Sequence, residues 1–329
     1  TAGFGPDTIL AFGPTATINA AKFVRVALAI PEADMDDICA NRISLPPRIP
    51  HPLLICAPTT SGGQAALSAK AAITDPETGL ARLIQSSAYL PCVTFMDPEL
   101  AAWKPDVLAA RGFETISQAT EALFSIHATD YTDALALHGL ELAFSNLAKA
   151  VDATDDSAAH ERSREKVISA GSLTSTALGN TSLGLADAIV QAFAQFSGAP
   201  RQDLLPAILP NVVRFNGSQP RKLVTWPNYE TFQVPSRCEE ITRHLKIDVG
   251  SDGAVEAYAQ ALEDLRDQVG LTPLLRNMGM AESTFTHRRE DLASLAFDYQ
   301  SHSGNPQTAR MEDIKDLLTA CFRGEKWSR

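Results

Sequence analysis

From Asp97 onward the apolar residues recur with a period of 3.6, and no alternating run of strand type interrupts them. A chain that spends most of its length in this pattern must bury helix against helix. The spacing predicts helices over Asp106–His127, Asp130–Val151, Ser157–Asn180, Leu183–Phe196, Leu204–Phe215, Ser236–Leu245, Gly253–Val269, Glu290–Tyr299 and Met311–Phe322. Gly217–Pro235, with Trp226, Pro227, Tyr229 and Phe232, carries no such period and is expected to be irregular. The first hundred residues read differently. Thr8–Phe12 is a short apolar strand stopped at Gly13-Pro14, Ile18–Ile30 has helical spacing, and Pro46–Pro52 holds four prolines and must be a loop. Leu53–Ala57 is a second buried strand that runs into the small residues of Pro58–Gly63. Ala69–Thr74 and Cys92–Met96 are further strand candidates, with a turn at Asp75–Gly79 between them. The expected architecture is an α/β segment over residues 1–98 followed by an all-helical domain over 99–329.

Composition narrows the partners. Hydrophobic residues are 45% and charged residues 20% of 329, the balance of an ordinary globular chain. The net charge of −11 and the scattered Lys and Arg argue against a nucleic-acid partner, which needs a clustered basic face. The longest apolar stretches are shorter than a membrane span requires, and no secretory signal is visible. The five cysteines, Cys39, Cys56, Cys92, Cys238 and Cys321, show no CxxC spacing, which disfavours a disulfide framework or a zinc knuckle and fits a reducing, cytoplasmic setting. The expected partner is a small-molecule substrate, with a homodimer as the assembly to test.

Two polar stripes stand out on otherwise apolar helices. Asp187, Gln191 and Gln195 are spaced four apart in a helix whose other positions are Ala, Ile, Val, Leu, Phe or Gly. Glu114, Gln118, Glu121 and Ser125 form a similar line opposite Phe113, Ile116, Ala119 and Leu123. Either stripe is a solvated face, or the two face each other across a polar pocket, because buried polar groups need partners or water. The seven histidines show neither HxxxH nor HExxH spacing; His127, which closes the helix carrying Glu114, is the one of interest. Ser61 lies outside any GxSxG nucleophile elbow.

Seven segments, in order along the chain, carry a resemblance: LAFGPTATINAAK (Leu10–Lys22), PTTSGGQ (Pro58–Gln64), AITDPETG (Ala72–Gly79), MDPEL (Met96–Leu100), GFETISQATEA (Gly112–Ala122), ILPNVVRFN (Ile208–Asn216) and NPQTARMEDIKDLLTA (Asn305–Ala320). Together they resemble the iron-containing alcohol dehydrogenases, a superfamily that includes maleylacetate reductases and shares its fold with dehydroquinate synthase. The resemblance implies a Rossmann-like dinucleotide domain, here truncated because family members begin with a further stretch, followed by an all-α domain. It also implies a divalent metal held by one Asp and three His. The positions that match those ligands are Glu114, Gln118, Asp187 and Arg201, with Gln191 where a further His usually stands. The glycine-rich phosphate loop of the family is Gly13-Pro14-Thr15-Ala16 here, and its second loop keeps Thr59 and Thr60 but loses its Ser-Glu end.

These departures predict no metal and no nicotinamide cofactor. Glu114 and Asp187 are the expected acid–base groups and Arg201 the anion stabiliser in place of the metal. Gln118, Gln191, Thr59, Thr60, Ser61 and His127 are the expected substrate-binding residues. The function that fits is a non-redox step on a small organic substrate, such as cyclisation, isomerisation, dehydration or a lyase reaction, with secondary metabolism as the expected setting. Two other readings stand beside it: an NAD(P)-dependent, metal-independent reductase of the maleylacetate reductase type, and a non-catalytic paralogue that partners an active homologue.

Overall fold

A computed structural model describes residues 5–32, 34–39, 42–60, 63–74, 81–101, 104–152, 154, 157–220, 232–272, 274–299 and 304–328. The chain divides into two compact units, Thr1–Trp103 and Lys104–Arg329.

In the first unit, β1 (Thr8–Gly13) leads into α1 (Thr15–Ala29), then α2 (Met35–Cys39), β2 (Leu53–Pro58), α3 (Gln64–Leu67), β3 (Lys70–Thr74), β4 (Ala81–Gln85) and β5 (Val93–Thr94). β1, β2 and β5 form a parallel sheet in the order β1-β2-β5, with Leu10 paired to Ile55 and Cys56 to Thr94. β3 and β4 form a separate antiparallel pair. Strand alternation sorts the side chains. Ala11, Leu54 and Cys56 turn to a core closed by Ile18, Ala65 and Ala66, while Leu10 and Phe12 point away and stay exposed. A second core gathers Phe23, Val26, Ile38, Ile49, Ile84 and Tyr89.

Two buried cations on α1 tie the loops to that helix. Lys22 Nζ donates to the carbonyls of Ser68 and Lys70, both at 2.7 Å. Arg25 donates to the carbonyls of Ile49, Pro52, Ala88 and Leu90. The proline-rich loop is therefore anchored through its backbone, which needs hydrogen-bond partners wherever it is buried.

The second unit is helical: α4 (Pro105–Phe124), α5 (Asp130–Ala150), α6 (Ala158–Leu178), α7 (Leu185–Ser197), α8 (Arg201–Gly217), α9 (Val234–Leu245), α10 (Gly253–Gln268), α11 (Glu282–Asp298) and α12 (Met311–Arg323). No strand occurs among its described residues. α4 is the axis: every residue from Thr115 to Phe124 is buried, and α5, α6, α8 and α9 pack around it. Gly112 lets α5 approach, since a Cβ there would stand 2.2 Å from Leu147 Cδ1. A polar stripe therefore runs through the middle of the bundle, and the solvated-face reading of Gln118, Glu121 and Ser125 is corrected: all three are buried because α4 is wrapped on every side.

Candidate functional site

The stripes of α4 and α7 and the first residue of α8 supply the site. α7 begins after Gly184, and its first turn carries Asp187. Its apolar positions Leu185, Ala186, Ala188, Ile189, Val190, Ala192 and Phe193 are buried. That burial orients the remaining face, on which exposure rises from buried Asp187 through half-buried Gln191 to exposed Gln195. α8 follows a left-handed turn at Gly198 and an extended Pro200, so Arg201 is the first helical residue rather than part of a surface loop.

The Asp187 carboxylate is taken at both oxygens. Arg201 Nη2 donates to Oδ1, and Gln191 Nε2 donates to Oδ2 at 2.6 Å. Arg201 is 47% exposed while Asp187 is 8% exposed, so the guanidinium covers a buried anion and keeps one side to solvent. Tyr299, just past α11, extends the cluster: its Oη donates to Gln195 Oε1 at 3.4 Å. Burial raises the Tyr299 phenol above its ordinary value, the Arg201 charge lowers it, and the Asp187 charge adds to the rise.

Glu114 belongs to a different ion pair. Arg111 Nη1, one turn earlier on α4, donates to its Oε2 at 2.8 Å. The carboxyl that does meet α7 is Glu121, two turns further along α4. Glu121 Oε1 accepts from Ala186 N–H at 2.9 Å and Asp187 N–H at 3.4 Å. Burial first, and the neighbouring Asp187 charge second, push its carboxyl up to about 8, although the backbone N–H groups of Asp187, Ala186 and Gly184 pull the other way. Glu121 stands in the sequence stripe, seven residues after Glu114, and that spacing is the signal that marks it. Asn305 and Tyr299 carry no comparable signal, because both lie outside the two striped helices, whereas Arg111 stands one turn before Glu114 and continues its line.

The remaining expected residues are more dispersed. Gln118 is buried on α4. His127 is exposed in the turn after α4, where its backbone N–H donates to Ser125 Oγ at 3.2 Å. Thr59 and Thr60 follow β2 in the first unit and are half-buried, and Thr59 N–H donates to the Gly13 carbonyl at 3.1 Å. Ser61 lies outside the described residues.

Residues 108–322 match the model of the Fe-containing alcohol dehydrogenase family, C-terminal, and residues 2–98 match the model of iron-containing alcohol dehydrogenase. The chain belongs to the iron-containing alcohol dehydrogenase family. An aldehyde-alcohol dehydrogenase of Streptococcus pneumoniae (serotype 2, strain D39) is 30% identical over 332 residues, covering 98% of this chain and 37% of that protein. Aldehyde-alcohol dehydrogenase 2 of Entamoeba histolytica is 30% identical over 329 residues, with 97% and 37% covered. This chain thus spans little more than a third of the length of those relatives. The solved iron-containing alcohol dehydrogenase of Thermococcus thioreducens superposes with a TM-score of 0.83 at 26% identity, covering 98% of this chain and 79% of that one.

Within this iron-containing alcohol dehydrogenase scaffold, the residues at the four ligand positions do not fit the divalent metal. Iron or zinc needs lone pairs from imidazole, carboxylate or thiolate converging on one point. Arg201 has only donors to offer and carries a positive charge. Asp187 is engaged by Arg201 and Gln191, and Glu114 by Arg111. Among the described residues no group of three His, Cys, Asp or Glu is arranged to hold a metal ion. The nucleotide turn departs in the same direction. Pro14 stands at the N-cap of α1 without an N–H to give, and the Thr17 side chain stands over Gly13, where a Cβ would lie 2.8 Å from its Oγ1. A pyrophosphate needs free amides and close backbone approach at that turn.

Proposed function

We propose that this chain catalyses a step on a small organic substrate without the family's divalent metal and without nicotinamide, with the Arg201 guanidinium as the positive charge of the site. The observation that carries this reading is the Asp187 carboxylate, whose two oxygens are taken by Arg201 and Gln191. A guanidinium clamped from one side has its direction fixed and keeps N–H groups for a second oxygen. Placed against a substrate carbonyl, it stabilises negative charge as that charge builds on oxygen, with little reorganisation of the site. Enolisation, isomerisation, cyclisation, dehydration and lyase steps all build such charge. Glu114 keeps one oxygen without a partner among the described residues and is the proton acceptor in this reading. Gln118 and Gln191 orient the substrate, and exposed His127 has no assigned part.

Elemental analysis of protein purified without chelators tests the metal half of the proposal. The expected result is far below one equivalent of iron or zinc, and a stoichiometric metal overturns it. Untargeted metabolite profiling with and without the protein tests the chemistry; the expected change is an isomer or an elimination product rather than an alcohol–aldehyde pair.

The relatives are named as aldehyde-alcohol dehydrogenases, which favours redox chemistry; the second reading is therefore a reductase, taken as one that uses nicotinamide without the metal. Fluorescence titration with NADH and NADPH separates the two. Micromolar binding promotes the reductase, and the absence of binding at that range favours the reading given first.

A further inference from the structure

Behind the Asp187–Arg201 pair lies a carboxyl that the proposed chemistry does not use. Glu121 is 5% exposed. It meets the start of α7, where the first-turn N–H groups have no partner inside the helix and the N-cap is Gly184, which has no side chain to offer. Two distant side chains supply the missing acceptors. Glu121 Oε1 receives the N–H groups of Ala186 and Asp187. Asn305 Oδ1 receives that of Leu185 at 3.2 Å. Asn305 is itself locked: its Nδ2 donates to Asn216 Oδ1 and to the Gln307 carbonyl, both at 2.7 Å, and Asn216 Nδ2 donates back at 3.0 Å. The fit leaves room for glycine alone, since a Cβ on Gly184 would stand 2.8 Å from Asn305 Oδ1 and 3.0 Å from Glu121 Oε1.

We infer that Glu121 is a positioning residue, which through the first turn of α7 fixes the direction of the Asp187 carboxylate and thereby the seat of Arg201. The functional consequence rests on the reading of that pair as the working group; the geometry can be measured without any substrate. The charged group acting on Glu121 is Asp187 on α7, and its neighbour Asn305 is a neutral amide. With the carboxyl raised to about 8 from an ordinary 4.5, the protonated acid holds the turn near neutrality. Ionisation at alkaline pH sets a second negative charge beside Asp187. The folded chain holds this proton where the unfolded chain has lost it. Stability from this group is therefore full below about pH 4.5 and declines as pH rises toward 8.

The full chain and its Glu121→Gln and Glu121→Ala variants test this by amide exchange and by thermal melts across pH 5 to 9. Glutamine keeps the carbonyl acceptor and cannot ionise. Its expected signature is parent-like protection of the Ala186 and Asp187 amides at pH 6, with a melting advantage over the parent that grows up to about pH 8 and then levels. A cap without a titrating role gives a difference that does not change with pH, and that result overturns the pH part. Glu121→Ala is expected to speed exchange at those two amides by about tenfold or more; unchanged exchange overturns the positioning role. The melting cost of Arg201→Ala reads the link to the pair. It should be kept in the Glu121→Gln background at pH 6 and fall to less than half in the Glu121→Ala background. An equal cost in both overturns the link. Should Glu121→Ala fail to fold, the glutamine pH series decides. Stoichiometric iron in the protein would sink the proposed function and leave these exchange results standing, so the two fail separately.

Discussion

Arg201 and Asp187 share one ion pair unequally. The aspartate is buried and the arginine is half in water, so removing the arginine uncovers an anion that, among the described residues, Gln191 alone still holds. A fully buried pair broken in this way costs about 3–5 kcal/mol. With half the guanidinium already solvated, Arg201→Ala should cost about 1–3 kcal/mol, the range for a buried polar group left without its partner. That is several degrees in a thermal melt near pH 7, and a change within one degree would mean that water serves Asp187 as well. Arg214 is the opposite case. It is buried on α8 and donates to Glu256 at 2.7 and 2.9 Å and to Glu263 at 2.6 Å. Arg214→Ala should cost about 3–5 kcal/mol, because Glu263 then loses its buried cation and Glu256 is left with the exposed Lys326. The hydrogen bond from Arg214 is the main reason Glu256 is held down to about 2, with help from Lys326. A carboxyl depressed in the folded state stabilises above its unfolded value of 4.5, and that stability drains away as pH falls toward 2. Urea titrations between pH 2 and 6 should show this acid loss in the parent and a shallower one in Arg214→Ala.

At the level of elements, α5 and α6 pack close enough to make a glycine indispensable. A Cβ on Gly139 would stand 2.5 Å from Thr174 Oγ1 and 3.1 Å from the Ala170 carbonyl. The hydroxyl can rotate away, but the carbonyl is helix backbone and cannot. Gly139→Ala should therefore destabilise by about 1–3 kcal/mol, the usual cost of overpacking, and a melt that matches the parent would show that the helices slide apart freely. Periodicity alone located the buried helices of this bundle. The spacing predicts Asp130–Val151 and the helix runs Asp130–Ala150; it predicts Gly253–Val269 and the helix runs Gly253–Gln268. It lost α11 at its start, placing it at Glu290 instead of Glu282, because Phe285 is the one buried residue in a first half otherwise made of polar, exposed positions. It also missed α2 and β4, which are too short to show a period. The pairing of Arg201 with Asp187 could be read from the matched ligand positions, since both fall where one metal would gather them. The Glu114–Arg111 pair could not be read so, because an i,i+3 partner on the same helix competes with anything across the bundle. Asn305 opens one of the segments that carry the resemblance, but nothing in a single sequence shows that it caps a turn more than a hundred residues away.

Across the whole molecule the apolar surface is uneven. Leu10, Phe12 and Phe95 are 66%, 56% and 57% exposed, and with Met96 and Leu100 they line one open hollow of the first unit. Exposed apolar patches of this kind bind hydrophobic dyes and promote association. The purified chain should raise the fluorescence of an anilinonaphthalene dye at neutral pH, and Phe12→Ser with Phe95→Ser should lower that signal without moving the melting temperature by more than a few degrees. An unchanged dye signal in the double variant would place the dye elsewhere. No helix among the described residues is long and apolar enough to cross a membrane. The charge balance of the site follows from how its cation is attached. An ion drawn from solution occupies a site according to supply, competitor ions and chelators. Arg201 is joined to the backbone fourteen residues from Asp187, so its local concentration is set by the connection between α7 and α8 and is independent of the medium. Every copy that folds is thus charged to the same degree, and metal starvation, excess zinc or a chelating buffer should leave the pair as it was.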